Sequence, residues 1–193
     1  MLTLLLDSSN KRLDVGLANE QGLIDQIGYE AWQQQSEKMI PELDHLFNRN
    51  GITRKDIGAI MVGIGPGSYT GVRIALTIAK VMSFALSVPI YGVSSLHMLI
   101  IGNKPTICLM NARSGRSYIG VYQGAKVLLS DRVWTNEQVL QYIKERPEYV
   151  LSGDLDYLGL SSQEHNVLKA MFEMKNSLTP VDALGINPIY LKD

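Results

Sequence analysis

The hydrophobic period of this chain first changes near residue 36, from strand to helix, and that change narrows the fold more than any single motif. Before it lie three short strand patterns. Residues 2–8 carry consecutive Leu4, Leu5 and Leu6; next, Leu13, Val15 and Leu17 alternate with Asp14, Gly16 and Ala18; residues 23–29 follow the turn signal Asn19-Glu20-Gln21-Gly22. Their short links predict an antiparallel meander. After residue 36 the spacing is helical: Met39, Ile40, Leu43, Leu46 and Phe47 share a face, with Ser36 as the predicted cap and Asn50-Gly51 as the stop. An apolar strand at 57–63, a helix from about 71 to 87, and strands at 89–93 and 105–110 complete the pattern, with a short helix from Ser94 between the last two. A meander followed by helical crossovers predicts an α/β protein with a mixed sheet covered by helices.

Beyond Asn111 the pattern predicts a hairpin (118–122 and 127–129 around Gly124), a helix over 135–145 capped by Thr135 or Asn136, and a strand at 149–151. Thr179-Pro180 opens, and Gly185 closes, a predicted short helix. Within 193 residues there is no room to repeat the whole first half. The expected organisation is therefore two lobes, 1–104 and a reduced 105–193, with the C-terminal segment packing back on the first.

Composition removes several classes of function. Eighteen Lys and Arg stand against 19 Asp and Glu, a net charge of −1, which does not favour autonomous nucleic-acid binding. The single cysteine, Cys108, cannot form an internal disulfide and sits in an apolar run, as expected of a buried reduced thiol. Residues 1–7 lack the basic start of a secretion signal, and the apolar stretch 72–86 contains Arg73 and Lys80 and falls short of a membrane span. A cytoplasmic chain with no membrane partner is expected.

The most unusual local feature is Gly63-Ile64-Gly65-Pro66-Gly67-Ser68-Tyr69-Thr70-Gly71-Val72-Arg73, a glycine-rich turn between strand and helix. It has no lysine, so it is not a P-loop, and the glycines miss the dinucleotide spacing. Two readings stay open: an anion held at the helix N-terminus, or glycines that permit positive φ and close backbone approach. On the helix that follows, Arg73, Thr77, Lys80 and Phe84 form one stripe, while the apolar arc spans roughly 220°, about twice the width of one core-facing stripe. Either the helix is sandwiched within the domain, or part of that arc is covered by a partner.

Catalytic constellations are thin. His45, His97 and His165 are isolated, with no His-x-x-x-His pair to seed a metal site. A two-metal nuclease requires converging carboxylates; Asp7 and Glu37 are a partial match, but the next strand ends in Gly63, and Asp7 suits a turn-capping role. An ATPase requires a second phosphate loop, for which only Ser152-Gly153-Asp154 is a candidate.

The stretch Gly65-Pro66-Gly67-Ser68-Tyr69-Thr70-Gly71-Val72-Arg73-Ile74 closely resembles the signature of the TsaB (YeaZ) family. Leu5-Leu6-Asp7-Ser8-Ser9, Ser36-Glu37 with Ile40-Pro41, Gly92-Val93-Ser94-Ser95-Leu96 and Pro188-x-Tyr190-Leu191 are similar to further family segments, in the family's order. Gln35 stands where the family often has His, and Asn111-Ala112-Arg113 where it often has Asp-Ala-Arg. The resemblance implies an actin-like ATPase (ribonuclease-H-like) fold with two mixed-sheet lobes. It further implies a non-catalytic subunit that dimerises with the catalytic paralogue TsaD, which transfers threonylcarbamoyl to the adenosine 3′ to the anticodon. The ATPase TsaE joins the pair; ATP and magnesium belong to those partner subunits and no cofactor is tightly held here. The chain alone forms a homodimer, and tRNA is met mainly through the complex. The implied partner face draws on the first two helices: Ile40, Leu43, Phe47, Ile74, Thr77, Ile78 and Val81. The competing reading is an independent actin-like enzyme, an ATP-dependent phosphotransferase or hydrolase.

Overall fold

The computed structural model describes residues 1–191. β1 (Leu2–Asp7), β2 (Arg12–Asn19) and β3 (Gly22–Glu30) form the meander, followed by α1 (Gln35–Asn50), β4 (Ile57–Gly63), α2 (Tyr69–Leu86) and β5 (Ile90–Val93). The first sheet has the order β3-β2-β1-β4-β5, with β1 antiparallel to β2 and parallel to β4, and β4 parallel to β5. β6 (Thr106–Arg113), β7 (Arg116–Gln123), β8 (Lys126–Thr135), α3 (Asn136–Lys144) and β9 (Val150–Gly153) build the second sheet in the order β8-β7-β6-β9. Those four strands repeat β3-β2-β1-β4, and α3 occupies the place of α1. The arrangement is the expected actin-like α/β fold, with a five-stranded first sheet and a reduced four-stranded second one.

β1 reads as an unbroken apolar run because both its faces are covered. Leu4 and Leu6 join the core beneath α1 and α2, while Leu5 packs on the opposite face with Leu168 and Met171. Those two residues belong to α4 (Val167–Glu173), a helix the sequence pattern did not reveal. Asn166 caps it, its Oδ1 accepting from Lys169 N at 3.0 Å. α4 follows the second sheet in the chain yet packs on β1, β2 and β3 of the first.

The helix ends follow local chemistry. Ser68 Oγ accepts from Gly71 N at 3.2 Å to cap α2, and Thr135 and Gln138 form a reciprocal capping box on α3. Gly51, at φ 62°, closes α1 in the left-handed region. Ser36 does not cap α1: the helix begins at Gln35, and Gln34 precedes it without a side-chain bond. Val72, Ala75, Leu76 and Ala79 of α2 are buried against the first sheet. The stretch expected to fall short of a membrane span belongs to a longer helix: α2, at 18 residues, is among the described residues long and apolar enough to cross a membrane by length and composition, and it lays one face on the first sheet while leaving Val81 and Phe84 exposed.

The helix predicted after Thr179-Pro180 is absent; one turn forms, with Gly185 N and Ile186 N both donating to Asp182 O. Val181 instead pairs with the edge residue Ile90, and Ile189 N donates to Ile64 O at 2.7 Å. Long-range pairing outcompetes a local helix here because β5 otherwise presents unpaired edge groups. Lys80 Nζ donates to Leu184 O and Ile186 O, and Ile186 enters the first core. The short helix predicted at Ser94 is a 3₁₀ turn at His97–Leu99.

Candidate functional site

Two features could carry function: a cleft between the lobes, floored by the glycine-rich loop, and a groove between α1 and α2. The loop is built for contact. Gly67 (φ 157°) lies so close to the β1–β2 turn that a Cβ would sit 2.2 Å from Ser9 O, and a Cβ on Gly71 would sit 2.0 Å from Ser8 O. Ser68 N donates to Ser9 O at 2.7 Å and Ser8 Oγ donates to Gly71 O at 2.7 Å. Gly65, at φ 98°, is sealed on its other side by Ile189 O, 2.7 Å from where a Cβ would lie. Of the two readings of this loop, close approach accounts for these three glycines.

Asp7 lies at the end of β1, fully enclosed, and its carboxylate accepts from Ser9 N (3.2 Å) and Ser9 Oγ (3.1 Å). It is the turn-capping role its position suggested. Burial, followed by the neighbouring charge of Asp14, raises the Asp7 pKa to about 7. Asp14 is held by a two-point contact from Arg12, with Nη2 to Oδ1 at 2.8 Å, and burial still moves its pKa upward. Among the described residues no group of three His, Cys, Asp or Glu side chains is placed to hold a metal ion.

The interlobe cleft encloses about 940 Å³. Of the predicted loop residues, Gly67, Ser68, Tyr69, Thr70 and Gly71 line it, while Gly65 and Pro66 are buried beneath. Arg73 is exposed outside, its guanidinium 4.4 Å above the Tyr69 ring, and Tyr69 stacks on Tyr190 at 5.2 Å. The second lobe contributes Asn111, Arg113, Tyr118 and Tyr157, and α1 contributes Gln35 and Ser36.

The α1–α2 groove is smaller, about 320 Å³, and mainly apolar. It gathers Ile40, Leu43, Phe47, Thr77, Ile78 and Val81 from the predicted partner face; Ile74 falls instead on the wall of the cleft. Leu43 and Phe47 are buried at its floor, whereas Ile40 and Val81 remain 49% and 61% exposed. Phe84, one turn beyond Lys80, is 71% exposed. Part of the broad apolar arc of α2 is thus uncovered in this chain. The sequence reading missed Asp44, Arg54 and Met82 of the groove; the charged pair carries no apolar signal, and Met82 lies in the broad apolar arc, whose width does not say which part is left uncovered.

A family model described as "TsaD: tRNA N6-adenosine threonylcarbamoyltransferase" matches residues 28–148. The chain is 34% identical to the tRNA threonylcarbamoyladenosine biosynthesis protein TsaB of Bacillus subtilis over 217 aligned positions, spanning all of this chain and 94% of that one. Among solved structures, YeaZ from Pseudomonas aeruginosa has a TM-score of 0.84 at 23% identity, covering 98% of this chain and 99% of that one. A second, an uncharacterized protein described as similar to peptidase YEAZ from Pseudomonas aeruginosa, has a TM-score of 0.80 at 23% identity, with 99% of both chains covered. At such identities the two structures show the common fold. The full-length relative and the shared two-lobed architecture agree with the glycine-loop signature, and on that ground the chain belongs to the TsaB (YeaZ) family.

Proposed function

We infer that this chain is a non-catalytic subunit of tRNA threonylcarbamoyladenosine biosynthesis, dimerising with a TsaD-type catalytic paralogue and supporting threonylcarbamoyl transfer to the adenosine 3′ to the anticodon. The observation that carries the reading is the open apolar groove between α1 and α2, where Ile40 and Val81 stand exposed above a floor of Leu43 and Phe47. Large exposed apolar side chains clustered around a groove are the mark of a protein-binding surface. The family model for the transferase spans 28–148, which includes both helices, so the paralogue has an equivalent pair to offer. Two related helix pairs meeting around a pseudo-twofold axis make a bundle with complementary apolar faces. The same face supports a homodimer of this chain in the absence of the paralogue.

The cleft supports a scaffold role. Its glycine loop spends Ser68 N, Gly71 N and Ser8 Oγ on internal bonds, and Asp7 is committed to Ser9. On this account ATP and magnesium are handled by TsaD and by the ATPase TsaE, and tRNA is engaged mainly through the assembled cytoplasmic complex.

Reconstituting the modification from purified components, with and without this chain, tests the proposal. Loss of threonylcarbamoyladenosine on omission is the expected result. Tight binding and turnover of ATP-magnesium by the isolated chain would overturn the scaffold reading in favour of an independent enzyme.

A further inference from the structure

On the side of β6–β8 that faces the first lobe, one carboxylate ties the two lobes together. Asp131 of β8 accepts a hydrogen bond from Tyr122 of β7 through Oδ1 and from Ser94 through Oδ2. Ser94 follows β5 and belongs to the first lobe; its Oγ also accepts from Leu96 N (3.2 Å) and His97 N (3.3 Å), leaving its one proton for Asp131. The His97 ring stacks on Tyr122, with centroids 4.0 Å apart and planes 11° apart. Burial holds His97 below its ordinary pKa, and because a carbonyl oxygen only accepts, Nε2–H donates to Gly124 O at 2.8 Å. Gly120 leaves room for this pair, since a Cβ there would sit 2.6 Å from Asp131 Oδ1 and 2.7 Å from the Tyr122 hydroxyl and would displace them.

The network continues into the cleft floor. Ser95, adjacent to Ser94, receives Gly65 N on its Oγ at 3.0 Å and donates its own N–H to Gly65 O at 2.9 Å. A continuous path therefore runs from the glycine loop through Ser95 and Ser94 to Asp131 and Tyr122. Beneath it, Leu96, Leu99 and Ile100, between β5 and β6, share one apolar cluster with Cys108, Met110 and Tyr122 of the second sheet. A two-lobed protein that opens and closes needs a hinge whose bonds do not span the moving bodies. Here satisfied, mutually polarising hydrogen bonds span them.

We propose that Asp131, Tyr122, Ser94 and His97 form an interlobe lock that holds the cleft at one width by anchoring the second lobe to the glycine loop. The lock is independent of which partner occupies the α1–α2 groove. It is tested on the full chain with spin labels on cysteines replacing the exposed Glu37 of α1 and Glu137 of α3, since Cys108 is buried. With the lock intact, the interlobe distance distribution is a single narrow peak. In the Ser94→Ala/Tyr122→Phe double variant it broadens about twofold, while a label pair confined to the first lobe, at Glu37 and Lys55, is unchanged. A double variant as narrow as its parent, or a parent that is already broad, overturns the proposal. Should the double variant fail to fold, Tyr122→Phe alone, which keeps the ring stack and loses only the hydroxyl, is read by the same criteria.

Discussion

The carbonyl oxygen of Ser8 occupies the space that a side chain on Gly71 would need, 2.0 Å from the position of its Cβ. The first turn of α2 is thereby seated directly on the β1–β2 turn, with Ser8 Oγ returning a bond to Gly71 O. Because the obstacle is backbone, no rotamer change relieves it. Gly71→Ala is expected to destabilise the protein by about 1–3 kcal/mol, the range for overpacking a filled site. Thr70→Ala, at an exposed neighbour, is expected to stay within about 0.5 kcal/mol. Urea unfolding of the two variants side by side checks both.

Asp7 makes stability fall as pH rises. Its carboxyl titrates near 3.8 when unfolded and at about 7 when folded, so between these values the folded state keeps a proton that the unfolded state has lost. Burial moves Asp14 in the same direction. Asp7→Asn keeps an acceptor for Ser9 N and adds a donor for Ser9 Oγ, but removes the ionisation. The variant is expected to lose less stability than the parent between pH 4.5 and 8, by on the order of 2–4 kcal/mol, in urea titrations at the two pH values. Parallel pH dependences in parent and variant would count against this assignment.

Cys108 lies fully buried in β6, and burial followed by the charge of Asp131 pushes its thiol pKa well up. Thiolate is the reactive form, so the native protein is expected to react with a thiol-specific disulfide reagent only at the rate of opening. In denaturant the single thiol should react at once. Prompt, stoichiometric modification of the folded chain would contradict the described packing.

Much of the first lobe was legible because its elements are set by local periodicity: the consecutive leucines of β1, the helical spacing from Met39 to Phe47, and Gly51 as a stop. α4 was not, since seven residues make less than two turns, too few for a period to emerge. The segment after Thr179 misled for a different reason. Pro180 and Gly185 carry helix-cap chemistry, but Ile90 and Ile64, far away in sequence, decide the conformation. At the sites, helical geometry set Thr77 on the polar stripe apart from Ile78 and Val81 and could not say which flank of the apolar arc is covered; in the structure all three line one groove. The role of Asp131 was invisible, because on a strand of alternating exposure it looks like any other outward-facing charge.

Val81→Glu asks whether the α1–α2 face receives the catalytic paralogue, as proposed. Val81 is 61% exposed in the isolated chain, so the substitution should leave folding intact. In a formed interface it would bury an unpaired carboxylate, at a cost of about 3 kcal/mol or more, which is roughly a hundredfold in Kd. Calorimetric titration of the variant with the TsaD-type paralogue from the same cell is predicted to show that loss, with an unchanged unfolding midpoint. A Kd equal to that of the parent chain would contradict the account.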